Sequence, residues 1–350
     1  MVGRENRNIE AFWNYRIGGF MVVRIGLIGC GGISREHISA YLKLKGKAEV
    51  VATADLVEER AMNAARAVGA ETHYTDYRDI LKRPDIDAVD ICLPHHLHAK
   101  VAVEAAEAGK HILCEKPIAR SLEEADSMID AARRYGVKLM IAENWRFLSQ
   151  VNVAKQVVEN GELGTVFLAK SSLVSFPRDL VSSGWKLYAE KVGGGVSIDS
   201  GIHNVDMVRW VIGEVKTVTA FTNRLIRTEI TGEDTGCILF KHVSDAISVL
   251  ALTWAARFSA DREYPLKIYG SEGAFAWSAW DGYVVVYKDG KRRVIETKPF
   301  SESFKAEIEH FVTCIESDRT PLTCGEEARR DLQLVLAAYE SAKTGKAVKV

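Results

Sequence analysis

From 22 to about 142 the chain alternates short β-branched runs with helical stretches, a rhythm satisfied by a parallel sheet covered with helices on both faces. Strand candidates fall at 22–28, 49–54, 88–93, 111–114 and 137–141, with helices expected near 34–44, 57–68, 97–108 and 122–135. Gly69, Gly109 and Gly136 stand where three of those helices end, the left-handed position that a residue without Cβ fills with least strain. After Arg146 the texture changes. A helix is expected near 151–159, another around His203, then strand-like segments from 215 to about 297 separated by turn residues, and a closing helical pair near 304–317 and 326–344. The pattern predicts an α/β fold: a doubly wound parallel sheet over 21–143, then an α+β region over 144–350 with a large, mostly antiparallel sheet. Residues 1–20 are expected to be an extension before a start at Met21, or an arm that packs on a neighbouring subunit.

Charge excludes whole classes of partner. With 46 basic and 47 acidic residues and no long basic block, the chain offers no electrostatic footprint for nucleic acid or an anionic membrane, which leaves a small molecule. No apolar run reaches the roughly 18–20 residues of a membrane span, and the first twenty residues lack the apolar core of a secretion signal. The six cysteines form no Cys-x-x-Cys pair, and Cys92 and Cys114 sit in apolar strand-like runs, so reduced thiols and a cytoplasmic setting are expected.

Directly after the first strand comes Gly29-Cys30-Gly31-Gly32-Ile33-Ser34, a glycine turn opening a helix, where missing side chains let backbone N–H groups approach a pyrophosphate. Ser34 replaces the third glycine of the usual pattern. The second strand runs into Asp55, placed to accept a hydrogen bond from an adenosine ribose hydroxyl and to repel a 2′-phosphate, which favours NAD over NADP. Asp55 equally suits the N-terminus of the helix that follows.

Two further segments carry chemistry. Glu115-Lys116-Pro117 puts a lysine at the carboxyl end of a parallel strand, the edge where open α/β sheets bind ligands. Gly193-Gly194-Gly195 leads to Asp199, His203 and Asp206, whose offsets would place all three on one face of a helix with its N-terminus left open by the glycines. A carboxylate beside an imidazole is suited to moving a proton off a hydroxyl. An acidic helix start beside a surface histidine accounts for the same pattern.

In order and spacing, the glycine turn, Glu115-Lys116-Pro117 and the Gly193–Asp206 segment resemble the Gfo/Idh/MocA family, the glucose–fructose oxidoreductase and inositol dehydrogenase group. The likeness runs from Met21 to the closing Ala337–Gly345 stretch and includes Pro94-His95-His96-Leu97-His98. It implies a Rossmann domain joined to an open-sheet domain that supports a homodimer or homotetramer, and an NAD-dependent dehydrogenase acting on a secondary hydroxyl of a sugar or cyclitol. It carries the catalytic roles onto Lys116, Asp199 and His203, and cofactor contacts onto Gly29, Gly31, Gly32, Ile33, Asp55, Leu93, Pro94, His98, Glu115 and Lys116. His95 departs from the asparagine usual there, and Ser34 from a small apolar residue.

In the resulting mechanism neutral His203 is the base, Lys116 holds the hydroxyl, and Asp199 orients substrate or imidazole. A position near a helix N-terminus disfavours the imidazolium by at most about 1–2 kcal/mol. Asn144, Trp145, Arg146, Phe176, Arg178, Trp185, Lys186 and Tyr188 are candidates for a sugar platform with polar clamps, with domain packing as the other explanation. No metal is expected, because His95, His96 and His98 lack the carboxylate or thiol partners of a mixed ligand set. A sugar-nucleotide dehydrogenase, an NAD-dependent glycosidase and a non-catalytic dinucleotide-sensing regulator remain as alternatives.

Overall fold

β1 (Val23–Ile28) alternates its side chains between two separate apolar cores. Val23, Ile25 and Leu27 face one core and Ile28 the other, the signature of a strand covered on both sides. The computed structural model describes residues 16–17, 20–178, 180, 184–258, 264–278 and 282–350. Around β1 stand β2 (Ala48–Ala54), β3 (Thr72–Tyr74), β4 (Ala88–Ile91), β5 (His111–Glu115) and β6 (Leu139–Ala142). They form one parallel six-stranded sheet in the order β3-β2-β1-β4-β5-β6. The crossovers carry α1 (Ser34–Lys43), α2 (Glu58–Val68), the short α3 (Arg78–Leu81), α4 (His95–Glu107) and α5 (Leu122–Tyr135). The doubly wound sheet expected from the sequence is present; β3 and α3 were not anticipated. Of the expected N-terminal extension, residues 1–15 lie outside the described residues, and Arg16–Ile17 pairs antiparallel with Phe20–Met21.

The remaining chain supplies α6 (Ser149–Glu159), β7 (Val166–Val174), α7 (Ala189–Val192), α8 (Val196–Asp199) and α9 (Ile202–Ile212). Then come β8 (Val215–Asn223), β9 (Thr235–His242), β10 (Ile247–Thr253), β11 (Leu266–Gly270), β12 (Gly273–Trp277), β13 (Tyr283–Lys288) and β14 (Lys291–Glu296). The chain closes with α10 (Glu302–Glu316), α11 (Gly325–Thr344) and β15 (Val348–Lys349). The second sheet has nine strands in the order β14-β13-β12-β11-β7-β10-β9-β8-β15, antiparallel except where β7 meets β10. β7, which the sequence pattern did not announce, occupies the middle.

α10 returns from this second half to cover the first sheet. Its Phe304, Ile308, Phe311 and Val312 join Val23, Ile25, Leu27, Leu113 and Met140 in one core. α11 lies against α5, α9 and β8, so the two sheets share a continuous interior.

Arg146, expected to clamp substrate, belongs to that interior instead. Its Nε donates to both oxygens of Asp206 at 2.8 and 2.9 Å, Nη2 donates to Glu327 Oε2 at 3.0 Å, and the guanidinium lies 4.3 Å from the Trp210 ring. The same bond removes Asp206 from the ligand-facing stripe expected of it. Asn144 likewise turns inward, donating to Ser303 Oγ at 3.0 Å. A buried cation is held this way because losing one partner leaves the other charge uncompensated in an apolar setting. Arg146→Ala is therefore expected to lower the unfolding free energy by about 3–5 kcal/mol, measured by denaturant titration. An unchanged midpoint would remove the structural assignment of Arg146.

Candidate active site

Parallel alignment brings the carboxyl ends of β1, β2, β4, β5 and β6 to one edge, and each of these strands is followed there by a candidate residue. After β1, Gly29 has φ +91° and its N–H donates to Ala54 O; a Cβ would stand 2.4 Å from Cys92 O. Only glycine fits. Gly31 and Gly32 border open space, beside the half-exposed Ile33. Ser34, in the third glycine's place, is buried and donates through Oγ to Gly31 O at 2.7 Å, closing the turn on itself. After β2, Asp55 accepts from Cys30 N at 2.8 Å and from Val57 N at 2.9 Å. One carboxylate thus ties the glycine turn to the second strand and steadies the start of α2. The open turn at a helix N-terminus beside this carboxylate fits a dinucleotide.

Past β4, Leu93 stands against Gly29 and Pro94 caps α4. His98, expected at the cofactor, is fully buried, its Nδ1 2.9 Å from Pro117 O and its Nε2 2.8 Å from Leu93 O. It braces two loops of the crevice and does not face it. Glu115 is also turned inward, its Oε1 3.1 Å from His37 Nε2 and its Oε2 accepting from Lys116 N.

Lys116 itself crosses to the second half of the chain. Its Nζ donates to Asp199 O at 2.8 Å and lies 4.0 Å from Asp199 Oδ1. Lys186 Nζ lies 2.9 Å from Asp199 Oδ2, and His95 Nε2 lies 3.8 Å from the same oxygen. Asp199 is buried, and although burial opposes its charge, Lys186 and then Lys116 hold its carboxyl well below the usual carboxylate range. Trp185 packs edge-on against His95 at 4.6 Å between centroids, and Lys186 lies over the Trp185 ring at 5.4 Å. Burial pushes the His95 pKa well down, so this ring is neutral at pH 7.

His203 is positioned by a residue that sequence reasoning passed over. Its Nδ1 lies 2.5 Å from Glu143 Oε1, directly after β6, and Trp145 stacks on the imidazole at 5.0 Å and 9°. Glu143 had been treated as a domain boundary, and only its place at the end of a sixth parallel strand could have marked it. Lys116, Glu143 and Ile202, the residue before His203, border one small interior gap together with Asp206 and Asp331.

Three expectations need correction. Asp199 and His203 do not share a helix: α8 ends at Asp199, Ser200 and Gly201 break the run, and α9 begins at Ile202. The glycine run does not open a helix end to ligand, because a Cβ on Gly194 would meet the Tyr339 hydroxyl at 2.1 Å and one on Gly195 would meet Glu233 O at 2.0 Å. These glycines let the backbone lie against its neighbours. The ring of Phe176, a candidate for the sugar platform, is instead overlaid by Arg227 and Arg257 at 4.3 and 4.8 Å. His95 Nδ1 pairs with Val192 O and His98 is spent on its two carbonyls, the two rings lying 5.6 Å apart between centroids.

Comparison with known proteins matches both halves of the chain to one family. Residues 23–143 match the model of an oxidoreductase family with an NAD-binding Rossmann fold, and residues 151–276 match the GFO/IDH/MocA C-terminal domain. D-apiose dehydrogenase of Paraburkholderia graminis is 32% identical over 93% of this chain and 88% of its own length. Myo-inositol 2-dehydrogenase of Thermotoga maritima is 29% identical over 94% of this chain and 98% of its own. The structure of a levoglucosan dehydrogenase in complex with NADH and levoglucosan superposes with a TM-score of 0.86 at 25% identity, covering 94% of this chain and 100% of that one. With both halves matched and the site assembled from both, the chain belongs to the Gfo/Idh/MocA family of NAD-binding oxidoreductases.

Proposed function

We propose that this protein is an NAD-dependent dehydrogenase that oxidises, or in reverse regenerates, a secondary hydroxyl on a sugar, sugar derivative or cyclitol. The observation that carries the reading is the pairing of two charged clusters at one sheet edge: Lys116 and Lys186 on Asp199, and Glu143 on His203. Gly29, Gly31, Gly32 and Asp55 would hold NAD, which would supply the hydride acceptor. Glu143 holds the N–H tautomer at His203 Nδ1, which leaves Nε2 with the lone pair of a base. That nitrogen takes the hydroxyl proton. The Lys116 ammonium, anchored by Asp199 O, stabilises the oxygen as it becomes an alkoxide. Asp199 and Lys186 form a fixed donor–acceptor pair against which neighbouring hydroxyls register, with Trp185 as the apolar wall. The relatives named for D-apiose, myo-inositol and levoglucosan support a polyhydroxylated substrate.

A second copy of the chain covers the open face of the nine-stranded sheet in this reading. Phe221, Leu239, Ile247, Tyr287 and Val294 stand exposed on that face, and a groove of about 280 Å³ between Tyr269 and Tyr287 adds aromatic surface. Apolar side chains in such numbers on one flat face match a self-complementary interface.

NADH formation against free sugars, cyclitols, sugar phosphates and nucleotide sugars tests the substrate class; glycoside cleavage without net NADH would instead favour the glycosidase. His203→Ala is expected to lower turnover by about two to four powers of ten with little change in NAD binding, and undiminished turnover would refute its role. Glu143→Gln should lower kcat and leave NAD affinity unaltered; a kcat equal to the parent's removes Glu143 from the mechanism. Leu239→Asp combined with Phe221→Asp should convert the oligomer to monomers in light scattering, whereas a parent that is already monomeric contradicts the interface.

A further inference from the structure

A buried polar cluster beneath the nucleotide turn takes no part in the mechanism above. His37, on α1, is fully buried, with Nδ1 2.8 Å from Asp90 Oδ2 and Nε2 3.1 Å from Glu115 Oε1. Tyr41 donates to the same Asp90 oxygen at 3.0 Å, and Cys92 Sγ lies 3.7 Å from His37 Nδ1 and 3.6 Å from Asp90 Oδ1. From α10, Phe304 covers the imidazole at 6.1 Å between centroids, and Glu307 brings a buried carboxyl whose pKa burial raises well above the usual range. Burial opposes charge on His37, yet Asp90 beside it raises its pKa well above the ordinary histidine value. The charged ring can donate through both nitrogens, as two carboxylate acceptors require.

The two ends of this cluster give it a role beyond packing. His37 follows Ser34 by one helical turn, and Ser34 Oγ holds Gly31 O in the nucleotide turn. At the other end Glu115 Oε2 accepts from Lys116 N at 3.0 Å, and Lys116 Nζ reaches Asp199 O at 2.8 Å. A run of hydrogen bonds and one helical turn therefore joins the cradle of the dinucleotide phosphates to the proposed catalytic ammonium. Because α1 is a rigid helix, a phosphate drawn to its N-terminus acts on His37 both through the helix and through its own negative charge.

Resting on the dinucleotide reading of the site, we propose that His37 is a positioning residue that couples occupancy of the glycine turn to the placement and reactivity of Lys116. ADP-ribose is the probe: it carries the adenosine, the pyrophosphate and the second ribose but no nicotinamide, and any shielding of Lys116 by direct contact is the same in both proteins, so the part of its effect that His37→Gln abolishes is the part that travels through the protein. The full-length protein and His37→Gln are compared by calorimetric ADP-ribose affinity and by the rate of reductive methylation at Lys116, followed by mass spectrometry.

In the parent, saturating ADP-ribose should change the Lys116 methylation rate by about fivefold or more; in His37→Gln that ratio should fall to near one, while affinity shifts by less than about threefold. An unchanged methylation rate in the parent, or an equal response in both proteins, overturns the coupling and leaves His37 a packing residue. Failure of the parent to bind ADP-ribose sinks the dinucleotide reading itself, and the coupling with it. If His37→Gln does not fold, Glu115→Gln, which removes the charge from the intermediate link, is read by the same criteria.

Discussion

The common direction of six hydrogen-bonded strands is the constraint on which the rest of this structure depends. A parallel ladder sends every strand's carboxyl end to the same edge, so residues separated by up to about a hundred positions become neighbours without any local sequence relation. Gly29, Asp55, Leu93, Lys116 and Glu143 owe their proximity to this one fact. Reversing a single strand would take its residue to the opposite edge of the molecule.

The second half of the chain completes the edge by closing over it. α8 and α9 deliver Asp199 and His203, and their placement is held by buried charge pairs: Arg146 with Asp206, and Arg209 with Asp331 on α11 at 2.7 Å. Such pairs add less net stability than apolar packing of equal volume, but they tolerate little misplacement, since each partner depends on the other for its solvation. That rigidity suits the proposed mechanism, in which an ammonium and an imidazole from separate halves would act on one hydroxyl. The helix break at Ser200–Gly201 serves the same purpose, because it gives Asp199 and His203 independent directions that one continuous helix would not.

The fold was legible to a large extent because its signals are local. Hydrophobic periodicity and C-terminal glycines located most helices of the first sheet to within a few residues, and the glycine turn with Asp55 emerged from strand–turn–helix context. β7 escaped notice because its sequence, with Lys170 among small and apolar residues, carries weak alternation and gains its identity from pairing with β10 and β11. Among the polar candidate residues, most misreadings were groups whose partners lie far along the chain. Arg146 and Asn144 have the chemistry of substrate ligands, and nothing nearby in sequence announces Asp206 or Ser303. Glu143 is the converse, a carboxylate without a motif whose significance rests on His203, sixty positions away.

Residue order alone determined the alternation of strands and helices, the glycine turn and the presence of Lys116, Asp199 and His203, because these depend on neighbours within a few bonds of one another. Tertiary structure alone decided which polar groups face the crevice and which are consumed in the interior: His98 on two carbonyls, Glu115 on His37, Arg146 on Asp206, Glu143 on His203. The reason is physical. A polar side chain's role is set by whichever partner satisfies it when water is removed, and that partner is chosen by the packing of whole elements and not by sequence proximity.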